Sequence, residues 1–400
     1  MKRVIFLVDM NAFFIGCEMA QNLELKGKPA AVAGDPKKRT GIILAANYEA
    51  RSYGVKTTML IHEARKLCPD LILVPPHHSL YEDNSRKVMN ILSRYSPVVQ
   101  QNSIDEAWLD MTGCEALFGK PVKSAEKIMK EIMNELDLWC SIGISENKFL
   151  AKMASELKKP LGITELWKKD VREKLWPLPV REMYGIGKQT EKSLTGIGIY
   201  KIGDIARCDL NFLIRKFGKY GEEIYQLANG IDECVVEENP VSKSKSVSRT
   251  TTLPENITDI EYAKTVILGL AEEVGTEARK QNCKGKTVSI TIRYEDFKTI
   301  TRQKSVKRTY LTKEIFEAGA KLLEDNWDFS RPVRLLGISL GNISEDEAEQ
   351  ISIFNMDNNT EENIEKEEKL EKTFDLIRER FGADKIKRAV ILKKDSTNTP

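Results

Sequence analysis

The chain of 400 residues is too long for one ordinary hydrophobic core, and with 41% apolar and 30% charged residues it predicts a soluble globular protein of roughly two to four domains. No run of about eighteen uncharged apolar residues occurs, which argues against a membrane span, and the seven scattered cysteines, without a CxxC pair, predict reduced thiols in a cytoplasm and neither disulfides nor a zinc site. The net charge of +2 is uneven: residues 344–400 hold fifteen acids and ten bases, so the remainder is basic, which is a weak indication of a polyanionic partner.

The first eight residues, a basic tip followed by a short apolar run, predict a buried strand, and Asp9 follows it in VDMNAFF (8–14). A buried acid is costly unless it is compensated, and Mg²⁺ compensates it well because this ion prefers carboxylates and substrate phosphates. QQNSIDEAWLDMTG (100–113) predicts two short strands around a turn with Asp105 and Glu106. Three carboxylates could hold two metal ions, or they could be ordinary solvated acids. The sequence does not itself place Asp9 beside Asp105.

Helices and strands alternate through the following segments. Helical spacing of apolar residues covers 79–95, 124–137 and 147–158, and CSIGIS (140–145) predicts a strand, which together are typical of an α/β or α+β domain. Residues 166–238 predict short helices broken by glycines.

A separate small α/β module is predicted after a linker in NPVSKSKSVSR (239–249). Its predicted strands are 286–296, 298–306 and 333–343, with helices near 259–281 and 312–326. Residues 344–365 hold eight acids and no base, which predicts disorder. An amphipathic helix is predicted after them from the spacing of Leu370, Phe374, Ile377 and Phe381.

Four motifs carry a resemblance to a known family: VDMNAFF (8–14), LAANYEARSYGVKT (44–57), SIDEAWLD (103–110) and SIGISENKFLAKMASELKKPLGI (141–163). In this order and at this spacing they resemble the Y-family DNA polymerases, in particular the bacterial DNA polymerase IV group. The resemblance implies an α+β multidomain right hand and a template-directed, low-fidelity enzyme that inserts deoxynucleotides opposite damaged bases. It implies two Mg²⁺ ions, primer–template DNA and deoxynucleoside triphosphates as partners, and a monomer.

The implied domains are a ferredoxin-like palm (1–10 and 77–165), small fingers (11–76), a helix-hairpin-helix thumb (166–238), a linker (239–247), an α/β little finger (248–343) and an acidic tail (344–400). Within the tail, QISIF (350–354) resembles a bacterial sliding-clamp-binding peptide, with Gln350, Ile353 and Phe354 as its contacts. Ile353 stands where the family motif usually has Leu.

The resemblance also implies a role for each site residue. Asp9, Asp105 and Glu106 match the metal-binding, catalytic carboxylates, and Met10 matches the position that offers its backbone carbonyl. Tyr48, Arg51 and Lys159 match the groups that grip the triphosphate, as a planar Arg fork and a Lys point charge can. Phe14 matches the steric gate against a 2′-hydroxyl. Phe13 is assigned to the nucleotide site with it, although read alone Phe13 is a core aromatic.

Four positions near the implied nucleotide site concern substrate fit. Ala45 replaces the Ser or Thr of many relatives, which removes a hydrogen bond of about 1 kcal/mol. Thr57 and Thr58 are small residues in the fingers segment that covers the nascent base pair, whereas Ile42 is bulkier than in some relatives.

The implied DNA contacts lie in two regions. YGIGKQTEKSL (184–194) resembles a helix-hairpin-helix whose backbone amides, at Gly185, Gly187 and Lys188, can hold a phosphate, although a Gly-x-Gly turn alone is also an ordinary tight turn. In the basic second module the candidates for backbone contact are Arg249, Lys286, Arg293, Arg302, Lys304, Lys307 and Arg308.

Two rival functions stay open at this point. A non-catalytic relative could serve as a DNA-damage or clamp adaptor, but such relatives lose the carboxylates that this chain keeps. A palm-type nucleotidyl cyclase could use the same two-metal chemistry, but it would leave the thumb, the basic module and the clamp peptide unexplained.

Overall fold

The computed structural model describes residues 3–36, 39, 41–238, 245–344, 358–382, 385, 386 and 388. The chain forms two compact units, residues 1–36 with 41–240 and residues 37–40 with 241–400. Among the described helices, none has the length and apolar character that crossing a membrane requires.

The first unit contains two sheets and eleven described α-helices. Its strands are β1 Ile5–Met10, β2 Ala30–Ala33, β3 Ile43–Ala46, β4 Ile72–Val74, β5 Val99–Gln101, β6 Glu106–Asp110, β7 Cys140–Ser145 and β8 Ile163–Glu165. Its helices are α1 Phe13–Gln21, α2 Tyr48–Ser52, α3 Ile61–Leu67, α4 His78–Leu92, α5 Glu115–Phe118, α6 Pro121–Leu136, α7 Lys148–Leu157, α8 Lys188–Thr195, α9 Ile202–Arg207, α10 Leu210–Phe217 and α11 Lys219–Ala228.

The larger sheet has the strand order β5-β6-β1-β7-β8, with the predicted N-terminal strand β1 at its centre and fully buried. Along the chain β1, α4, β5, β6, α6 and β7 follow one another as β-α-β-β-α-β, and the sheet order of these strands is ferredoxin-like, as the resemblance implied. Alternate residues of β1 face opposite sides, as a strand requires. Phe6 and Val8 pack in the cluster with α4 and α6, whereas Ile5 and Leu7 pack with Ala151 of α7.

Helix α7 lies unusually close to the sheet at Gly143. A Cβ built on this glycine would stand 2.0 Å from the carbonyl oxygen of Ala151 and 2.5 Å from the amide nitrogen of Ser155. A residue with a side chain would therefore push α7 away from β7. This close approach matters because α7 brings charged side chains to the end of β1.

A smaller sheet of order β3-β2-β4 lies between β1 and α4 in the chain, with β2 antiparallel to β3 and parallel to β4. Residues 166–238 form the predicted short helices, whose buried residues, among them Leu194, Ile205, Leu213 and Ile224, share one core.

The second unit repeats the order β-α-β-β-α-β: β9 Ser246–Ile257, α12 Ile260–Lys280, β10 Lys284–Tyr294, β11 Thr299–Thr309, α13 Thr312–Asn326 and β12 Val333–Ser344, followed by α14 Asn358–Phe381. Its sheet has a different strand order, β11-β10-β12-β9, and every pair in it is antiparallel. The buried residues of this sheet pack with those of α12 and α13 in one core.

Two predictions for this unit are wrong at their boundaries. The linker was expected to reach residue 247, and the little finger to begin at 248, but strand β9 begins at Ser246. The strand was missed because only Val247, Leu253 and Ile257 of its twelve residues are buried apolar side chains. Its position at the sheet edge also accommodates Pro254, which cannot donate a ladder hydrogen bond.

The acidic tail also departs from expectation. Disorder was predicted through residue 365, but helix α14 begins at Asn358. The predicted amphipathic helix is present. Of its predicted apolar residues, Leu370 and Phe381 are exposed and Phe374 and Ile377 are half-buried, whereas Glu371 is buried. The clamp-binding contacts predicted at Gln350, Ile353 and Phe354 lie outside the described residues.

Candidate active site

The register of β1 against β6 brings the predicted acids together. Asp9 stands directly opposite Glu106, and the amide of Met10 donates to the carbonyl of Asp105 at 2.9 Å. Asp9 occupies the end of β1, on the side of the strand that faces α7. The pairing of β1 with β6 thus brings Asp9 close to Asp105 and Glu106, which the sequence alone did not establish.

Helix α7 and the segment after it add charges to the site. Lys159 was expected there, whereas Lys152 and Glu156 were not assigned to the site from the sequence. The ammonium of Lys152 donates to Oδ2 of Asp9 at 2.9 Å, to Oε1 of Glu156 at 2.9 Å, and to Oε1 of Glu106. Lys159 forms ion pairs of 2.8 Å with Oδ1 of Asp9 and with Oε1 of Glu156. The acids at the end of β1 are therefore compensated by two lysines.

Three carboxylates form a compact group. One oxygen each of Asp9, Glu106 and Glu156 lies within 4.8 Å of the others. A donor set of carboxylate oxygens suits Mg²⁺, which takes hard oxygen ligands. This set differs from the expected one, since Glu156 belongs to it. Asp105 lies in the same cleft, and its carboxylate accepts a hydrogen bond of 2.6 Å from the Ser103 hydroxyl.

Burial and hydrogen bonding shift the pKa values of Asp9 and Glu106 in opposite directions. Burial raises the pKa of Asp9, and its hydrogen bond with Glu106 raises it further, while Lys159 and Lys152 act in the opposite direction. For Glu106 burial also acts to raise the pKa, but hydrogen bonds with Asp9 and Lys152 outweigh it, so the pKa lies below its usual value. Asp9 is therefore the weaker acid of the pair and Glu106 the stronger.

The predicted metal and triphosphate residues line one cleft of about 290 Å³. Its lining includes Asp9, Met10, Phe13, Phe14, Tyr48, Arg51, Asp105, Glu106 and Lys159, together with Ala45, Thr57 and Glu156. Residues from four separated segments of the chain therefore meet in a single concave site.

Tyr48 and Arg51 are positioned by the cap of α2. The Asn47 side chain accepts from the amides of Ala50 and Ala30, each at 3.0 Å, which fixes the start of this helix beside β2. The Arg51 guanidinium lies 5.0 Å from the centre of the Tyr48 ring. Among the described residues the buried Tyr48 hydroxyl has no hydrogen-bond partner, so a ligand that accepts a hydrogen bond would satisfy it.

Phe14 is half-buried on α1 and stacks on Tyr81 of α4, with ring centres 4.4 Å apart and planes inclined by 12°. Tyr81 is fully buried, and its hydroxyl donates to Glu18 at 2.5 Å. This support gives the Phe14 ring a defined position. Phe13 is 4% exposed and belongs to the core of the larger sheet while also bordering the cleft.

The predicted hairpin of the helix-hairpin-helix is a glycine turn followed by a helix. Gly185 has a φ of +91°, a conformation that favours glycine, and Gly187 caps the N-terminus of α8, whose first residue is Lys188. Lys188 is exposed.

The basic candidates in the second unit do not share one face of its sheet. Arg302 lies opposite buried Ile290, on the helix-covered side, where it donates to Asn326 at 3.1 Å, and Lys304 lies opposite Val288 on that side. Arg249 pairs with Glu273 and Glu277 of α12 on the same side. Arg293 lies opposite Thr299 and donates to its hydroxyl. Lys307 is exposed, and Arg308 and Lys286 are half-buried.

Lys152 and Glu156 were not assigned to the site from the sequence, although the surroundings of Lys152 indicate that it needs a partner. Seven consecutive residues of α7, from Phe149 to Ser155, are buried, and Lys152 stands among them. A lysine in a helix buried on this scale needs a partner, and Glu156 one turn later is an obvious one. The partners across the sheet, Asp9 and Glu106, could not be read from this spacing.

Comparison with known proteins identifies the family of the chain. Residues 8–156 match the impB/mucB/samB family, residues 168–199 match the IMS family HHH motif, and residues 244–353 match the impB/mucB/samB family C-terminal domain. The DNA polymerase IV of Clostridium kluyveri is 56% identical over 98% of this chain and 99% of its own, and that of Alkaliphilus oremlandii is 52% identical over 98% and 100%.

Among solved structures, a Y-family DNA polymerase chimera matches with a TM-score of 0.75 at 30% identity, over 86% of this chain and 100% of its own. The right-hand fold implied by the motifs is thus the fold of the molecule. The chain belongs to the impB/mucB/samB family of Y-family DNA polymerases, and it is a DNA-directed DNA polymerase.

Proposed function

We propose that this polymerase copies damaged templates with low fidelity, by nucleotidyl transfer that depends on two Mg²⁺ ions held by Asp9, Asp105 and Glu106. The observation that carries the proposal is the convergence of these acids with Tyr48 and Arg51 on one cleft. In this assignment the larger sheet and its helices are the palm, the smaller sheet lies in the fingers, residues 166–238 are the thumb, and the second unit contains the little finger.

The protein groups divide the work by their chemistry. Asp9, Asp105 and Glu106, with the Met10 carbonyl, hold the ions, and bound Mg²⁺ supplies activation of the primer 3′-hydroxyl and neutralisation of the leaving pyrophosphate. Arg51 and Lys159 orient the triphosphate by charge-assisted hydrogen bonds. Tyr48 is suited to donate its buried, unpartnered hydroxyl to the same ligand.

Selection against ribonucleotides rests on Phe14, whose ring would overlap a 2′-hydroxyl. Its stacking on Tyr81 supports this role, because a steric blocker must hold its position. Thr57 belongs to the segment expected to cover the nascent base pair, and its small side chain, which lines the cleft, would favour tolerance of altered template bases.

We also propose that Gly185 to Lys188 and the basic residues of the second unit hold the DNA backbone, and that QISIF (350–354) binds the bacterial sliding clamp. Ile353 and Phe354 would fill an apolar pocket, and anchors of this kind contribute about 2 kcal/mol each. Replacing both with Ala should weaken clamp binding at least about a hundredfold and leave extension without clamp unchanged. Unchanged clamp affinity together with a lower melting temperature would instead indicate that these residues pack within the protein.

Primer extension with Mg²⁺ tests the activity against its rivals. The protein should add deoxynucleotides on an intact template and opposite a damaged base, with misinsertion more frequent than for a replicative enzyme. An adaptor would add none, and a cyclase would release a cyclic nucleotide without template. Extension that stops before every damaged base tried would contradict the translesion part of the proposal.

A further inference from the structure

Lys152 is the most deeply buried cation of the active site. Its side chain is 9% exposed, compared with 23% for Lys159, and its ammonium contacts three carboxylates, those of Asp9, Glu106 and Glu156. An ammonium has three donors, and here each of them has an acidic acceptor. The lysine is therefore the centre of the carboxylate group rather than a residue at its margin.

The same carboxylates form the compact group that could hold a cation, with oxygens within 4.8 Å of one another. Asp9 is buried, Glu106 is half-buried and Glu156 is exposed, so the repulsion is strongest between Asp9 and Glu106, where an uncompensated charge would destabilise the fold. With Lys152 and Lys159 in place, three negative charges face two positive ones. Without Lys152 the group would keep one positive partner.

We infer that Lys152 is an internal counter-cation: it holds Asp9, Glu106 and Glu156 in position before metal binds, and its charge weakens the affinity of the site for divalent ions. This inference rests on the proposed two-metal function. It makes Lys152 a positioning residue, because it acts on the carboxylates and not on the substrate.

The placement of Lys152 on α7 supports this role. Gly143 lets α7 approach β7 closely, and α7 in turn faces the side of β1 on which Asp9 lies. Glu156, one turn after Lys152 on the same helix, reaches both Lys152 and Lys159. Lys152 is thus held in place by a packed helix and is always present. The occupancy of a divalent ion, in contrast, depends on its concentration in solution.

Thermal unfolding of the full chain, without DNA or nucleotide, tests the inference. In EDTA, Lys152→Met keeps the length of the side chain and removes its charge, so the melting temperature should fall by about 10 °C. Adding MgCl₂ or MnCl₂ should restore much of this loss. The metal concentration at half effect should be at least about tenfold lower than for the parent protein, because a repelling charge has been removed.

Lys158→Met is the matched control, since it makes the same change at an exposed position after α7. Its melting temperature in EDTA and its metal concentration at half effect should both stay near those of the parent. A merely structural lysine would lower the melting temperature equally at every metal concentration, and that result would overturn the inference. So would a Lys152→Met variant that melts like the parent in EDTA.

A second variant covers the case in which Lys152→Met does not fold. Lys152→Met with Glu156→Gln removes one positive and one negative charge together, and it should fold and melt closer to the parent. A double variant as unstable as the single one would overturn the inference, because charge balance would not be what Lys152 supplies. The parent's primer extension is scored separately, so failure of the proposed function is distinguishable from failure of this inference.

Discussion

The two β-α-β-β-α-β modules of this protein both bury charge, with opposite signs. In the first unit the acids Asp9 and Glu106 lie at the end of the sheet and are compensated by lysines from α7 and the segment after it. In the second unit the base Arg279 on α12, 3% exposed, is compensated by Glu371 and Asp375 of α14. Each module therefore takes its counter-charge from a neighbouring element.

The two modules differ in how completely their charged groups are paired. Arg279 donates to Asp375 at 2.5 Å and to the Tyr310 carbonyl at 3.0 Å, and it forms an ion pair of 3.1 Å with Glu371. Arg388 pairs with Glu371 and Glu272, and Arg378 pairs with Glu272, so three bases face three acids in this network. The network of the first unit borders an open cleft, has more acids than lysines, and stands beside the unpartnered Tyr48 hydroxyl. A saturated buried network stabilises a fold, whereas one with residual charge at a cleft is suited to a ligand.

Arg279→Met should give the largest loss of stability, about 3–5 kcal/mol, because it leaves Glu371 and Asp375 without their buried partner. Chemical denaturation of the full chain measures it, and divalent metal should not restore the loss. Lys280→Met, the same kind of change at the exposed neighbouring residue, is the control. Restoration of the Arg279→Met variant by Mg²⁺ would remove the distinction between the two modules.

Gly143→Ala should impair activity more than stability. The added Cβ would stand 2.0 Å from the Ala151 carbonyl oxygen, so α7 must shift and carry Lys152 and Glu156 with it. We expect a loss of about 1–3 kcal/mol in stability and about a hundredfold in single-nucleotide insertion, since small misplacements of catalytic groups are expensive. At Gly16 a Cβ meets its nearest atom at 3.5 Å, so Gly16→Ala serves as the control. Normal insertion by Gly143→Ala would show that the position of α7 is not critical.

Phe14→Ala should have the smallest effect on the fold and a specific effect on substrate choice. Loss of the ring should raise ribonucleotide insertion relative to deoxynucleotide insertion by roughly a hundredfold, the range in which a single small group can be discriminated. Competing insertion of matched ribo- and deoxyribonucleotides measures the ratio. A variant that rejects ribonucleotides as strongly as the parent would show that another residue is the gate.

The sequence predicted elements whose signal is local. The apolar run of β1, the helical spacing of α4 and the strand CSIGIS of β7 are each confirmed within a few residues. Strand β9 was missed because an edge strand buries few side chains. For α14 the spacing of apolar residues predicted the helix but not the pairing of its Glu371 and Asp375 with Arg279, which lies 96 residues from Asp375 in the sequence.

The candidate site, like the fold, could be predicted from the sequence only where the signal is local. Motifs indicated which residues belong to it, and the structure brings Asp9, Tyr48, Arg51 and Glu106 into one cleft. The pairing of Lys152 with acids on β1 and β6 depends on strand register and on the packing of α7, which no local pattern encodes.

Primer extension by Asp105→Ala/Glu106→Ala, beside the parent protein in Mg²⁺, tests the central claim most directly. The parent should extend a short primer as the template directs. The double variant should be slower by about a thousandfold or more, because the metal-held charge stabilisation amounts to several kcal/mol. Its affinity for primer–template, measured by fluorescence anisotropy, should be retained, since backbone contacts lie elsewhere. Appreciable extension by the double variant would contradict the assignment of these carboxylates.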